Sequence, residues 1–151
     1  MRFFEKVKDF AIKYDEHEIT MPVRATLNSA GYDFFSPIEI NIPAGSAEII
    51  WTNIKACCNE DEFLMLCVTS GMGKRGLILS NGIGVIDSDY YSNENNDGNI
   101  GFRLHNLGKE DYLIKKGEKI GQGIFFKYLP ADIDNCTNAV RKGGFGSTDK
   151  K

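Results

Sequence analysis

Strict alternation of apolar residues with polar residues or glycine runs through Ile100-Gly101-Phe102-Arg103-Leu104-His105. Successive side chains of a β-strand point to opposite faces of its sheet, so this period of two indicates a strand with one buried face. The same alternation recurs in residues 38–42 and 122–128, and residues 63–68 form a short continuous apolar run. Such a run is typical of a strand that is covered on both faces.

Turn-forming residues separate these segments. They are Pro43-Ala44-Gly45, Asn81-Gly82, Asn96-Asp97-Gly98 and Lys116-Gly117. Many short strands with regular turns predict an all-β fold, a jelly-roll-like sandwich or barrel. No segment of helical period exceeds about a dozen residues, so we expect at most one short helix, around Met72 to Leu79. The chain has 151 residues, which suits a single domain.

Composition and charge argue against several classes of protein. The chain is 42% hydrophobic and 26% charged, as soluble globular proteins are, and no apolar run is long enough to span a bilayer. Residues 1–6 lack the long apolar stretch of a secretory signal, so we expect a cytoplasmic protein with no membrane partner. The formal net charge of −3 argues against a nucleic-acid binder, which usually carries a basic stripe.

Cysteine and histidine positions give no sign of a metal site. The cysteines at 57, 58, 67 and 136 have no Cys-x-x-Cys spacing, and we expect them to be small buried hydrophobes. Neither His17 nor His105 has a plausible ligand set nearby. On this acidic chain, an anionic ligand would need local basic residues, backbone N–H groups or a metal.

The segment Gly84-Val85-Ile86-Asp87-Ser88-Asp89-Tyr90-Tyr91 is the first candidate for chemistry. It places two carboxylates and two aromatic rings at the end of an apolar strand, after the predicted hairpin turn at Asn81-Gly82. A carboxylate held beside aromatic rings is oriented and partly desolvated, as a general base must be. The alternative is that Asp87 and Asp89 only close a turn.

The C-terminal residues from Asn138 onward are polar and glycine-rich, and they cannot bury enough apolar surface to fold alone. We therefore divide the chain into a β domain over residues 1–137 and a flexible arm over residues 138–151. Within the arm, Phe145 offers an aromatic face amid glycines, and Arg141 offers a bidentate phosphate donor. The alternative is a solvated terminus that binds nothing.

Two further turns carry side chains that could bind a metal or phosphate. A third segment matches a dinucleotide-binding motif, but its surroundings do not suit that function. Ser29-Ala30-Gly31-Tyr32-Asp33 offers a carboxylate for a metal, and Gly117-Glu118-Lys119-Ile120-Gly121-Gln122 offers Lys119 and Gln122 for phosphates. Gly71-Met72-Gly73-Lys74-Arg75-Gly76 fits G-x-G-x-x-G, but a dinucleotide site needs a βαβ unit with a substantial helix. The early turn at Asn81-Gly82 leaves no room for that helix, so we reject a Rossmann site.

In order along the chain, several of these segments resemble the motifs of the trimeric dUTPase family. They are Ala30-Gly31-Tyr32-Asp33, Ser70, Gly84-Val85-Ile86-Asp87-Ser88-Asp89-Tyr90, Gly117-Glu118-Lys119-Ile120-Gly121-Gln122 and Gly143-Gly144-Phe145-Gly146-Ser147-Thr148. The resemblance begins near residue 18 and reaches the C-terminus. It implies a jelly-roll fold, in agreement with the alternation, and hydrolysis of dUTP to dUMP and pyrophosphate.

The resemblance also implies a role for each matching residue. Asp87 would be the general base for the water that attacks the α-phosphorus, and Tyr90 would pack under the deoxyribose, where a 2′-hydroxyl would clash. Asn81 would help the hairpin backbone at Gly84 to recognise uracil. The remaining implied roles are a metal-bound water held by Asp33, stacking of Phe145 on uracil, and substrate contacts from Ser70, Gln122, Arg141, Gly146, Ser147 and Thr148.

Cofactor and assembly follow from the same resemblance. It implies Mg²⁺ as the cofactor, and a metal that bridges the phosphates would offset their charge on this acidic chain. It also implies a homotrimer with shared sites, in which the arm of one subunit reaches across to close the site of a neighbour.

Two features depart from the family pattern. Cys67-Val68-Thr69-Ser70-Gly71 lacks the arginine that the second motif usually carries, so either Thr69 or Ser70 takes the serine's place, with Lys74 or Arg75 as a substitute cation. Residues 91–98 form a polar insertion after Tyr90, which we expect to be an exposed loop.

Two alternative functions stay open at this point. A dCTP deaminase-like enzyme would share the fold, although Asp87-Ser88-Asp89-Tyr90 favours the pyrophosphatase. A catalytically weak, dUTPase-like nucleotide-binding regulatory protein would account for the missing arginine and the insertion. Such a protein would bind dUTP with negligible turnover.

Overall fold

The computed structural model describes residues 1–14, 18–136 and 141–144. Within these ranges the single α-helix, α1, spans Ser70–Lys74, two 3₁₀ turns span Asp9–Ala11 and Ser88–Tyr90, and no helix has the length and hydropathy to cross a bilayer. The eleven strands are β1 Phe3–Lys6, β2 Tyr32–Phe35, β3 Ile40–Ile42, β4 Ala47–Trp51, β5 Ile54–Cys57, β6 Glu62–Cys67, β7 Leu77–Leu79, β8 Gly84–Asp87, β9 Gly101–Asn106, β10 Tyr112–Ile114 and β11 Lys119–Lys127.

Every strand pairing is antiparallel, and the two larger sheets form a sandwich. One sheet has the order β2-β11-β6-β8 and the other the order β4-β9-β7, while β1-β5 and β10-β3 are two-stranded. The all-β, jelly-roll-like prediction is confirmed, although the described strands stay in separate sheets and form no closed barrel. Antiparallel pairing also rules out the βαβ unit that a dinucleotide site at Gly71–Gly76 would require.

The alternation predicted for residues 100–105 is present in β9. Phe102 and Leu104 are fully buried, whereas Arg103 is exposed. The Phe102 ring packs against that of Phe34 in the opposite sheet, with ring centroids 5.3 Å apart. Both large sheets contribute to the core around this contact, with Ile50, Leu64, Leu66, Leu77, Leu79, Ile86 and Ile120. The core therefore lies between the two sheets, as in other β-sandwiches.

The helix is shorter than the predicted segment from Met72 to Leu79. α1 ends at Lys74, Gly76 has a φ of +80°, and Leu77 and Leu79 belong to β7. A glycine in the left-handed region ends a helix because it turns the chain away from the helix axis. The residues after it then pair with β9 instead of continuing the helix.

The N-terminal strand β1 has no signal in the sequence, because Phe3 and Phe4 are adjacent and show no period. β1 pairs with β5. The Phe4 ring meets the Phe34 ring edge to face, with centroids 5.5 Å apart. This contact adds the two-stranded sheet to the main core.

Residues 91–99, here called the asparagine-rich loop, contain the insertion that we expected to be exposed. That prediction is wrong for part of the insertion, because Asn93 and Asp97 are buried, as is Asn99 just after it. Asp97 Oδ2 accepts hydrogen bonds from Lys55 Nζ and from the backbone N–H of Lys8, each at 2.8 Å. Polar groups can be buried when they satisfy one another's hydrogen bonds. The loop is thereby attached to β5 and to the segment after β1.

Lys55 and Asp97 are charged in spite of their burial. Burial acts against the Lys55 ammonium, but the hydrogen bond and charge of Asp97 outweigh it, so the pKa of Lys55 lies above its ordinary value. Burial likewise acts against the Asp97 carboxylate, and Lys55 outweighs it, so the pKa of Asp97 is lowered. Both shifts favour the ion pair at neutral pH.

The cysteines are less buried than predicted. Cys57, Cys58 and Cys67 are partly exposed, Cys136 is exposed, and all of them are free thiols. Burial is still sufficient to raise the pKa of Cys58 to about 11, so this thiol stays protonated at neutral pH.

We predict that Gly121→Ala destabilises the protein, because a Cβ at this position would lie 2.3 Å from Phe102 Cε1 and 3.0 Å from the Cys67 carbonyl oxygen. Forced overpacking of this kind costs about 1–3 kcal/mol. Gly73→Ala is the control, because its Cβ would meet nothing within 4 Å and alanine favours a helix. Urea unfolding of both variants at one protein concentration measures the difference. Equal free energies of unfolding would contradict the packing described for Gly121.

Candidate active site

A cavity of about 480 Å³ opens beside the hairpin that joins β7 to β8. The hairpin, β8, the turn after it, β9 and the arm supply its lining. The lining residues are Leu66, Leu79, Ser80, Asn81, Gly84, Val85, Ile86, Asp87, Tyr90, Gly101, Arg103, Arg141 and Gly144. A cleft of this volume, with apolar walls and a few polar groups, suits a small organic ligand.

The turn predicted at Asn81-Gly82 is present. Gly82 has a φ of +75°, and its N–H donates to the Leu79 carbonyl oxygen at 2.9 Å. Asn81 is exposed and lines the cavity. A Cβ on Gly84 would lie 3.0 Å from Leu66 Cβ, so the absence of a side chain lets β8 lie close to β6 here. Asn81 and Gly84 therefore both line the cavity, and their contact with uracil stays a prediction.

Asp87 ends β8 and presents a half-exposed carboxylate to the cavity. Arg141 Nη2 lies 2.5 Å from Asp87 Oδ2, and Arg141 Nε lies 2.6 Å from Asp89 Oδ1. The pKa of Asp87 is raised above its ordinary value, first by burial and then by the charge of Asp89, while Arg141 opposes the increase. A carboxylate with a raised pKa is a better proton acceptor than an ordinary surface aspartate.

Tyr90 follows Asp87 by one turn of 3₁₀ helix, and its side chain is buried beside the cavity. Its hydroxyl donates to the Asn99 carbonyl oxygen at 2.7 Å and accepts a hydrogen bond from Asn96 Nδ2 at 2.6 Å. The ring is thus held at both its backbone and its hydroxyl end. Asp87 and Tyr90 stand on one short segment, which explains why the sequence placed both at one site.

The described part of the arm, residues 141–144, lies against this site. The Asn95 N–H donates to the Lys142 carbonyl oxygen at 3.2 Å. A Cβ on Gly143 would lie 2.4 Å from Asn95 Nδ2, and a Cβ on Gly144 would lie 2.4 Å from Tyr90 Cε2. The missing side chain of Gly144 lets the arm approach the buried Tyr90 ring, whereas a side chain at Gly143 would require the exposed Asn95 amide to move.

Arg141 makes its contacts with carboxylates of its own chain, whereas the resemblance implied a reach to a neighbouring subunit. That reach stays a prediction. The predicted contacts of Phe145, Gly146, Ser147 and Thr148 lie outside the described residues.

A second group of predicted residues lies on β2 and β11. Asp33 pairs with Gln122 across these strands, and Lys119 Nζ lies 2.7 Å from Asp33 Oδ2. Gln122 Nε2 donates to the Val68 carbonyl oxygen at 3.4 Å, which connects β11 to the segment before α1. A Cβ on Gly31 would lie 2.1 Å from Gln122 Oε1, so glycine makes room for the glutamine. The segments around Asp33, Val68 and Gln122, which resemble three of the family motifs, therefore lie next to one another.

The structure distinguishes the two candidate hydroxyls before α1. Thr69 is the N-cap of the helix, and its hydroxyl oxygen accepts from the Met72 N–H at 3.4 Å. Ser70 is the first helical residue and is exposed. Arg75 donates to the Gly71 carbonyl oxygen and lies 5.4 Å from the centroid of the Tyr112 ring. Which of Lys74 and Arg75 replaces the missing arginine stays a prediction.

One chain does not bring the two groups together. Asp87 pairs with Phe63 of β6, and Gln122 pairs with Cys67 of the same strand. Four residues of β-strand separate these two positions, or roughly 13 Å along the strand. The carboxylate of Asp87 and the amide of Gln122 therefore mark opposite ends of one sheet, on the same face.

The described residues include no cluster of three or more metal-binding His, Cys, Asp or Glu side chains. Asp33 supplies one carboxylate, and Lys119 already neutralises part of its charge. Mg²⁺ is commonly held by one or two carboxylates together with substrate phosphates. The residues present fit a metal that arrives with a phosphorylated ligand, with Asp33 as the protein's contribution.

Several lining residues were missed by the sequence interpretation. Ser80, Gly101 and Arg103 line the cavity because β9 runs beside the β7–β8 hairpin, and the Ser80 N–H donates to the Arg103 carbonyl oxygen at 2.9 Å. The alternation identified Arg103 as outward-facing but could not show which element lies next to it. Asn96 was assigned only to a turn within the insertion, and Asn99 was not singled out.

Comparison with known proteins agrees with this geometry. The dUTPase family matches residues 17–149. The chain is 40% identical over 147 residues to the deoxyuridine 5′-triphosphate nucleotidohydrolase of Lactococcus lactis, covering 95% of this chain and 98% of that protein. It is 36% identical over 143 residues to the enzyme of the same name from Rickettsia felis, with coverage of 90% and 93%.

The solved structures give the same result for the fold. The dUTPase from Streptococcus mutans superposes with a TM-score of 0.72 at 34% identity, covering 85% of this chain and 98% of that one. The family match includes the β7–β8 hairpin, Asp87, Tyr90 and Gln122 in their sequence order. The chain belongs to the dUTPase family.

Proposed function

We propose that this protein hydrolyses dUTP to dUMP and pyrophosphate, with Asp87 as the general base. The observation that carries the proposal is the cavity itself, in which a half-buried carboxylate, a buried tyrosine ring and the β7–β8 hairpin converge. The Lactococcus and Rickettsia relatives are named for this reaction, which supports the assignment.

Asp87 is suited to accept a proton because burial and the charge of Asp89 both raise its pKa. In the proposed step, a water molecule attacks the α-phosphorus, its proton passes to Asp87, and the bond to the bridging oxygen of pyrophosphate breaks. Arg141 now pairs with Asp87 and Asp89, and we propose that it exchanges these partners for phosphate oxygens when the nucleotide binds.

Base and sugar recognition follow from the cavity walls. We propose that Asn81 and the backbone of the hairpin at Gly84 read the polar edge of uracil, and that Tyr90 forms the wall beneath the deoxyribose. Backbone amides and carbonyls in a hairpin have fixed positions, so they can distinguish one pyrimidine edge from another.

Phosphate binding requires the second group of residues. We propose that Ser70, Gln122 and the arm residues Arg141, Gly146, Ser147 and Thr148 contact the phosphates, that Phe145 stacks on uracil, and that Asp33 holds Mg²⁺ through water. The metal would supply positive charge to the triphosphate when bound. A structural Mg(II) ion is named for a dUTPase from phage phi11, which is 18% identical and compared with this chain by fold.

Trimer formation would join the two groups of residues that one chain keeps apart. The outer face of the four-stranded sheet carries Phe63, Met65, Val85, Ile124 and Phe126 in adjacent rows. Val85 is 53% exposed and Phe126 is 43% exposed, although both are large apolar side chains. A contiguous apolar face of this kind is typical of a protein–protein contact. We propose that it packs against other copies of the chain, with the arm completing a shared site.

We predict that Asp87→Asn lowers the rate of dUTP hydrolysis by about 10²–10⁴-fold, because the amide keeps the shape of the side chain but cannot accept a proton. Binding of dUTP should be nearly unchanged by calorimetry. Glu39→Gln, which removes an exposed carboxylate outside the cavity, is the control. An Asp87→Asn variant that turns over like the parent would remove Asp87 from the role of base. A parent protein that binds dUTP without turnover would support a regulatory function instead.

The charges around Asp87 predict opposite pH shifts for two variants. The base must be deprotonated, so kcat/KM should rise with pH through the pKa of Asp87. Asp89→Asn removes a charge that raises this pKa, so the acidic limb of the profile should move to lower pH. Arg141→Gln removes a charge that lowers it, so the limb should move to higher pH. If the acidic limb moved in the same direction in both variants, or moved in the control variant Glu39→Gln, its assignment to Asp87 would be disproved.

The assembly proposal predicts three times the chain mass of 16.9 kDa in light scattering. Phe126→Glu should dissociate the trimer and lower turnover, because it buries a charge in the proposed contact. Leu113→Glu is the control, because this residue is equally exposed but lies on β10, outside that face. Deletion of residues 141–151 should lower turnover without dissociating the trimer. An active monomer, or a deletion variant as active as the parent, would exclude the shared site.

A further inference from the structure

The asparagine-rich loop directs its hydrogen bonds toward Tyr90. Asn93 Nδ2 donates to the Tyr90 carbonyl oxygen at 2.8 Å, and Asn96 Nδ2 donates to the Tyr90 hydroxyl oxygen at 2.6 Å. The hydroxyl in turn donates to the Asn99 carbonyl oxygen at 2.7 Å. Three residues of one loop therefore hold both the backbone and the hydroxyl group of a single residue in the cavity wall.

The orientation of the Asn96 amide is determined by its own acceptors. Asn96 Oδ1 accepts from Asn93 Nδ2 at 2.8 Å and from the Gly98 N–H at 3.1 Å. With its oxygen committed to two donors, the amide must turn its NH₂ group toward Tyr90. The Tyr90 hydroxyl is then committed as well, because it accepts from Asn96 and donates to Asn99. The network has one consistent arrangement.

The contacts that attach the asparagine-rich loop to the rest of the protein lie away from the cavity. The Lys55 ammonium, which binds Asp97 at 2.8 Å, also donates to Ser92 Oγ at 3.0 Å. The Asp97 N–H donates to the Asn93 carbonyl oxygen at 3.0 Å, which couples this ion pair to the residues around Tyr90. None of Lys55, Ser92 and Asp97 lines the cavity. The loop can therefore hold its shape without a bound ligand.

We propose that Asn96 is a positioning residue for sugar selectivity, which fixes the Tyr90 ring as a rigid wall against the ribose 2′-hydroxyl. The inference rests on the proposed function. A pocket that merely surrounds a sugar rejects one additional hydroxyl weakly. Rejection by steric overlap requires a wall that does not move when the larger ligand enters. Asn96 supplies that rigidity from behind the ring, without touching the substrate.

The test compares kcat/KM for dUTP and UTP in the full-length protein. Asn96→Leu keeps the approximate size of the side chain but loses both hydrogen-bonding groups. Tyr90→Phe removes the hydrogen bond to Asn96 from the other end, together with the one to Asn99. Each variant should reduce the selectivity, which is kcat/KM for dUTP divided by kcat/KM for UTP, by about tenfold. The main cause should be a higher kcat/KM for UTP. Glu94→Ala changes an exposed residue of the same loop and should leave the ratio unchanged.

A double variant separates positioning from general stability. If both substitutions act through the hydrogen bond between Asn96 and the Tyr90 hydroxyl, the double variant should lower the dUTP to UTP selectivity no further than either single variant. A purely structural role would lower the melting temperature and affect both substrates equally, so an unchanged ratio in Asn96→Leu overturns the proposal. If that variant does not fold, an unchanged ratio in Tyr90→Phe overturns it. A parent protein that hydrolyses no dUTP would instead refute the proposed function.

Discussion

The buried ion pair between Lys55 and Asp97 connects the parts of the molecule on which the candidate site depends. Taking two charges out of water is costly, and such a pair is tolerated only when its remaining hydrogen bonds are made. Here the ammonium has Asp97, Ser92 and, at 3.4 Å, Glu5 around it, and it lies 4.8 Å from the centroid of the Tyr91 ring. The pair thereby joins β1 and β5 to the loop behind Tyr90, so a buried ion pair outside the cavity anchors the loop that contacts its wall.

The protonation of Asp87 also depends on a balance between burial and neighbouring charges. Burial and Asp89 favour the protonated carboxyl, while Arg141 favours the carboxylate. Because Arg141 belongs to the arm, the carboxylate experiences one environment when the arm lies on it and another when the guanidinium turns to a ligand. The proton affinity of the proposed base therefore depends on where Arg141 lies, and under the proposed exchange of Arg141 to phosphate oxygens it would rise when the nucleotide binds.

The sequence predicted those features that depend on local pattern. The alternation in β9, the turn at Asn81-Gly82 and the grouping of Asp87 with Tyr90 each involve residues close in the chain. The buried loop was mispredicted because polarity usually indicates exposure, whereas here asparagine side chains satisfy one another. Arg103 and the separation of Asp87 from Gln122 depend on which strands are neighbours, and that information is not local. The contacts of Phe145 to Thr148 stay predictions.

Strand β6 carries one part of the candidate site at each end, with Asp87 beside Phe63 and Gln122 beside Cys67. Because side chains alternate along a strand, a slip of one residue would turn Leu64 and Leu66 toward solvent and Phe63 and Met65 inward. The same slip would misalign β8 and β11. A chain with this error would lose its core, its apolar outer face and the placement of both groups of candidate site residues together, so correct folding of the core and correct assembly of the site are one event.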